Sequence, residues 1–152
     1  RFKVAVITQN IDDLHERAGS SNIIHLHGEI TKARSSRHSH LVYPIEGWEL
    51  NMDAVCEKGF PLRPHIVWFG EAVPAMDNAI QQVQTADIFI IIGTSLEVYP
   101  AASLLDYADA EIDKYYIDPA AKSFSNVHKL TIIRESAGAA VPQLVNQLLS
   151  VS

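Results

Sequence analysis

Two rhythms of apolar residues run along the chain. Short continuous apolar runs, closed by glycine or a polar cluster, predict strands over residues 4–8, 23–26, 64–69, 87–92, 115–117 and 127–133. Apolar positions repeating every three to four residues predict helices over 14–18, 76–85, 101–110 and 139–149. Met76, Ala79, Ile80 and Val83 share one side of the second helix, and Pro142 is expected in the first turn of the last, where proline is tolerated. Asp12 or Asp13 is placed to cap the first helix, and Gly19 to stop it.

Strand and helix thus alternate at the spacing of an α/β fold. The expectation is an open parallel, Rossmann-like sheet with helices on both faces, incomplete at its amino-terminal side. Between residues 29 and 64 the texture changes. Lys32, Arg34, Arg37, His38 and His40 make a basic, serine-rich stretch, expected as a solvated loop face. Leu41, Val42, Tyr43, Ile45 and Trp48 follow as its expected apolar cluster, with Trp48 as core. This predicts a small inserted module over 31–61, and a main domain built from 1–30 and 62–152.

Ligands of such sheets lie beyond the carboxyl ends of the strands. The chemically distinctive residues follow strand ends here: Gln9 to Asp12, His27-Gly28, Phe69-Gly70-Glu71, Gly93 to Ser95, and Asp118. Taken singly, each has a plainer reading. Asp12 and Asp13 suit a helix cap, His25 a sheet face, Trp68 a core, and Gly93-Thr94-Ser95 is a weak anion-loop signal whose N–H groups could serve a phosphate or ribose.

Composition narrows the partners. Twelve Lys and Arg against eighteen Asp and Glu give a net charge of −6, which disfavours a nucleic-acid backbone. No apolar run approaches the ~20 residues that span a bilayer. The single cysteine, Cys56, excludes an internal disulfide and suggests a reducing compartment, the cytoplasm.

The blocks TQNIDDLHERAG (8–19), LHGE (26–29), RPHIVWFGE (63–71), GTSLEVYPAAS (93–103) and AVPQLVNQLL (140–149) stand in order. Together they resemble the sirtuins, the NAD-dependent protein lysine deacylases, and most of all their bacterial branch. The resemblance implies His27 as the catalytic histidine. It implies contacts to NAD from Gln9, Asn10, Asp12, Gly93, Thr94, Ser95, Asp118 and Ala137. The acyl-lysine of a protein or peptide is expected between Val67, Trp68, Phe69 and Gly70 on one side and the stretch with Glu97 and Val98 on the other. The family's GAGxS-type turn and Asp-Phe-Arg triplet do not occur in these residues. The 152 residues alone are therefore expected to be inactive, with an amino-terminal segment of the same protein as a partner.

The family's small domain usually holds zinc with four cysteines. Those positions correspond here to Ser35, His38, Cys56 and Gly59, so zinc is not expected; a looser His38, His40, Cys56 and Asp53 set lacks paired spacing. The strand-end residues suit the implied reaction. Loss of nicotinamide builds positive charge at a ribose carbon, and a later step takes a proton from a ribose hydroxyl. A histidine with a pKa of ~6.5 is a competent base for that proton. Asn10 and Asp12 would orient ribose and water, while Trp68 and Phe69 would exclude water from a neutral acyl chain. Products would be nicotinamide, free lysine and O-acyl-ADP-ribose. Two alternatives stay open: ADP-ribosyl transfer to protein, and a non-catalytic acyl-lysine-binding fragment.

Overall fold

The computed structural model describes residues 2–151. Its elements run β1 (Val6–Thr8), α1 (Leu14–Arg17), β2 (Ile23–His25), β3 (Gly28–Ser35), β4 (Val42–Pro44), β5 (Leu62–Ile66), α2 (Met76–Gln84) and β6 (Ile88–Ile92). A 3-10 helix (Ala101–Tyr107), β7 (Asp113–Ile117), β8 (Leu130–Ile133) and α3 (Ala137–Val151) complete them. The chain divides between Ala79 and Ile80 into two compact units.

In the first unit β1 and β2 are parallel, with Val6 opposite Ile23 and Thr8 opposite His25. The chain then turns at Leu26-His27 and enters an antiparallel sheet ordered β4-β3-β5. Gly28 is what permits this turn. Its φ is +81°, and a Cβ there would stand 2.0 Å from the His65 carbonyl oxygen on β5. Only glycine combines that backbone with so close an approach.

The second unit carries the parallel sheet β6-β7-β8, covered on both faces. On one face Ile117 packs with Ala140, Leu144 and Leu148 of α3. On the other, Ile91 and Tyr116 pack with Leu105 of the 3-10 helix and with Ala121 and Phe124. Alternation along each strand sends successive side chains to opposite layers, which is why Ile117 and Tyr116 can both be buried.

Several expectations change. Residues 28–35, which include Lys32 and Arg34 of the expected loop face, form the longest strand among the described residues, with alternate residues Ala33 and Ser35 buried. Residues 62–66 pair antiparallel to it, and the expected strand over 64–69 ends at Ile66. Trp48 is not core; it is exposed, and Ala33, Ser35 and Cys56 are buried instead. The helix expected over 101–110 is a shorter 3-10 turn. With α3 starting at Ala137, Pro142 lies inside the helix beyond its first turn. The face Met76, Ala79, Ile80, Val83 is as expected, Ala79 and Val83 being fully buried.

Candidate functional site

Parallel pairing explains how distant residues meet. Since β1 and β2 run side by side in register, the residues leaving their carboxyl ends emerge together. Leu26 N–H donates to the Thr8 carbonyl at 2.9 Å, which carries the register one residue past the strands. His27 then turns its ring back, placing Nδ1 3.1 Å from the Gln9 carbonyl oxygen. A carbonyl only accepts, so that contact requires the proton on Nδ1. Neutral His27 therefore keeps the lone pair on Nε2, the nitrogen a base would use.

Nearby side chains are tied to local backbone. Thr8 Oγ1 accepts from Asn10 N–H at 3.1 Å, and Asp12 Oδ1 accepts from Leu14 N–H at 3.1 Å. Asp13 sits at the helix N-cap but makes no side-chain capping bond, so Asp12 takes that part. His25 turns to the flank, its Nε2 2.7 Å from Glu16, and the hydrogen bond from His25 lowers the Glu16 carboxyl's pKa. Glu16, His25 and Glu29 lie close together, but Glu29 is also neutralised by Lys32 at 2.8 Å.

The segment Val67, Trp68, Phe69, Gly70 is joined to the same place. Val67 N–H donates to the His27 carbonyl at 2.9 Å. Glu71 N–H returns to the Trp68 carbonyl at 3.0 Å, and Gly70 has φ +88°, as the third residue of a type II turn requires. Phe69 is 99 % exposed and Trp68 55 %, so this turn presents two aromatic rings to solvent.

Arg34 was expected on a solvated loop face and instead has its side chain only 13 % exposed. It reaches Glu71 at 3.1 Å, while Arg63 grips the same carboxylate with two bonds of 2.6 and 2.9 Å. These bonds, Arg63's first and then the Trp68 N–H, hold the Glu71 carboxyl at about 2. A sequence signal existed: an arginine in each of two segments that become facing strands, and a glutamate closing the aromatic run. It could be read only once the two strands were known to pair.

In the second unit, β6 and β7 end side by side, with Ile92 opposite Ile117. Gly93-Thr94-Ser95 and Asp118 therefore leave adjacent strands at one end of the sheet. Gly93 N–H bonds the Ile117 carbonyl at 3.0 Å, and the buried Tyr116 hydroxyl donates to the Thr94 carbonyl at 2.8 Å. Asp118 Oδ1 accepts from Ala120 N–H at 2.7 Å. Glu97 is ion-paired with Lys122, Val98 is exposed, and Ala137 opens α3.

The positions implied for zinc do not fit it. Ser35 and Cys56 meet, Sγ to Oγ 3.4 Å, and Ser35 Oγ also accepts from His38 N–H at 3.2 Å. The His38 ring stacks edge-on against Phe60 at 5.3 Å, and Gly59 offers no side chain. At most one thiolate and one imidazole remain, against the four donors of a structural zinc. A serine–cysteine hydrogen bond and the His38–Phe60 ring contact stand there instead.

A model of the Sir2 family matches residues 2–100. The chain belongs to the Sir2 family. Over 151 residues this Sir2 chain is 49 % identical to a Helicobacter pylori protein named NAD-dependent protein deacylase, covering 99 % of itself and 66 % of that relative. It thus spans just under two thirds of the relative's length. A crystal structure of a Sir2 homolog–NAD complex superposes at a TM-score of 0.84 with 35 % identity, over 97 % of this chain and 59 % of that one. A Sir2 bound to a deacetylated p53 peptide and 3'-O-acetyl-ADP-ribose gives 0.75 and 29 %, over 95 % and 61 %. The α/β fold with its parallel strands is that of the family. Among the described residues, no helix is long and apolar enough to cross a membrane.

Proposed function

We propose that this chain is the larger part of an NAD-dependent protein lysine deacylase, with acetyl as its default acyl group. One observation carries the reading: the ring of His27, at the paired ends of β1 and β2, is anchored through Nδ1 on Gln9. The same residue's carbonyl holds the start of an exposed aromatic turn. A base and an apolar acyl surface thus share one residue.

Each unit by itself carries side chains suited to part of a dinucleotide. Gln9 and Asn10 contribute amides and Thr94 and Ser95 hydroxyls, groups that match ribose and carboxamide. NAD, when bound, supplies the carbon from which nicotinamide leaves and the ribose hydroxyl that later needs deprotonation. His27 Nε2 takes that proton, and the Gln9 carbonyl steadies the imidazolium through Nδ1–H. Asn10 and Asp12 orient ribose and water. Gly93, Thr94 and Ser95 hold the dinucleotide, with Asp118 toward the adenosine ribose and Ala137 toward adenine. Val67, Trp68, Phe69 and Gly70 cover the acyl chain, and Glu97 and Val98 flank the peptide. Water exclusion there favours a neutral acylated lysine over a charged one.

Residues 31–61 form the small inserted module between the 1–30 and 62–152 parts of the nucleotide-binding domain. The substrates are acylated lysines of proteins or peptides, and the reduced thiol of Cys56 suits a cytoplasmic residence. The test is mass spectrometry of the intact protein with NAD and an acetyl-lysine peptide. Equal amounts of nicotinamide and free-lysine peptide are expected, and His27→Ala should abolish formation of the free-lysine peptide. Labelled protein with no peptide turnover would replace this reading by ADP-ribosyl transfer.

A further inference from the structure

The aromatic turn poses a physical problem. Phe69 and Trp68 are largely in water, so apolar packing does not hold the segment in shape. Left to themselves, two exposed aromatic rings on a short loop should collapse onto neighbouring apolar surface. What opposes this is polar and lies at the turn's ends.

At the start, Val67 N–H is tied to the His27 carbonyl. At the end stands Glu71, whose carboxylate accepts four bonds. Arg63 gives two, Arg34 one at 3.1 Å, and the Trp68 N–H one at 3.1 Å, the last reaching back across the turn. Both arginines also donate to the Ile66 carbonyl, at 3.2 and 3.1 Å. Each arginine therefore bridges the last residue of β5 to the carboxylate that closes the turn. Arg34 comes from β3 and Arg63 from β5, in positions directly opposite each other. The paired strands thus act as the base of a two-armed clamp. Planar guanidinium groups suit this, since their N–H donors are fixed in direction.

We propose that Glu71, clamped by Arg34 and Arg63, is the positioning residue that holds the Trp68-Phe69 turn open for the acyl group. This deepens the deacylase reading and rests on it for the identity of the occupant. Glu71 does not touch the reacting atoms. It acts through the Trp68 backbone, so its loss should weaken acyl-peptide capture and leave dinucleotide affinity alone.

The test uses the intact protein in a Trp48→Phe background. Trp48 is exposed in the small module, and removing it leaves Trp68 as the fluorophore among the described residues. Glu71→Gln keeps the side chain's size but removes its charge. Time-resolved anisotropy of Trp68 without ligand reads the clamp directly, whatever the protein catalyses. Glu71→Gln should speed local Trp68 motion, and Arg63→Met should do the same. The double variant should be no worse than either single one, because both break one unit.

Steady-state kinetics read the consequence. Glu71→Gln should raise KM for an acetyl-lysine peptide about tenfold, with KM for NAD changed less than about twofold. Unchanged Trp68 motion would overturn the clamp. Equal rises in both KM values would reduce Glu71 to a structural role and also overturn it. If the parent protein shows neither turnover nor peptide-induced change in Trp68 emission, the deacylase reading fails, while the anisotropy result still decides whether Glu71 positions the turn.

Discussion

Replacing Gly28 by alanine should be far more damaging than the same change at other glycines of similar backbone. Two terms add. A left-handed φ of +81° costs an L-residue roughly 1–2 kcal/mol. The new Cβ would also meet the His65 carbonyl oxygen at 2.0 Å and the Ile66 Cα at 3.0 Å. Those are backbone atoms of β5, held in register with β3, so they cannot swing aside as a side chain would. Forcing such an overlap typically costs about 1–3 kcal/mol. A total of about 3 kcal/mol follows, or a fall in melting midpoint of roughly 6–12 °C for a chain of this size.

Gly47 is the matched control, with φ +80° and open space around its Cβ position. Gly47→Ala should lose only the backbone term, roughly 1–2 kcal/mol. Equilibrium urea unfolding of the two variants of the intact protein measures the difference. Gly28 follows His27, whose carbonyl bonds Val67, so the residual folded Gly28→Ala protein should also turn over more slowly. Equal destabilisation of the two variants, to within about 0.5 kcal/mol, would refute the steric argument.

Two further outcomes follow from charge and hydrogen bonding. Glu71 is lowered from 4.5 to about 2 in the folded protein, so its stabilising contribution is complete above pH ~4.5 and is lost as pH falls toward 2. The gap in unfolding midpoint between the parent and Glu71→Gln should therefore close over that window; a gap independent of pH would contradict the ion-pair origin. Tyr116→Phe removes the 2.8 Å bond to the Thr94 carbonyl from a side chain only 1 % exposed. It should cost about 1 kcal/mol in urea unfolding and raise KM for NAD a few-fold, and a neutral change would deny that loop its buried anchor.

Much of the molecule was legible from periodicity. The parallel strands around Ile88–Ile92, the buried face of α2 and the apolar stripe of α3 are patterns that local spacing carries. The antiparallel hairpin was not. Residues 28–35 mix lysine, arginine, threonine and serine, and only the small residues Ala33 and Ser35 are buried. A strand whose inward side chains are so small shows no hydrophobic alternation. Trp48 failed in the opposite sense: its size suggested a core, but Cys56, Ser35 and Ala33 are the buried residues there and the indole lies outside.

At the site the division has a physical cause. The residue types suited to the chemistry, a histidine base, amides and aromatic rings beside strand ends, were already present in the order of the blocks. The parallel register of β1 with β2 placed the His27 ring on the Gln9 carbonyl, and so decided which ring nitrogen of the neutral imidazole keeps its lone pair. The pairing of β3 with β5 turned two apparently solvated arginines into the clamp on Glu71. Composition and local spacing determine which groups a chain carries and which elements it favours. Which groups meet depends on strand register, and register is a property of two segments at once.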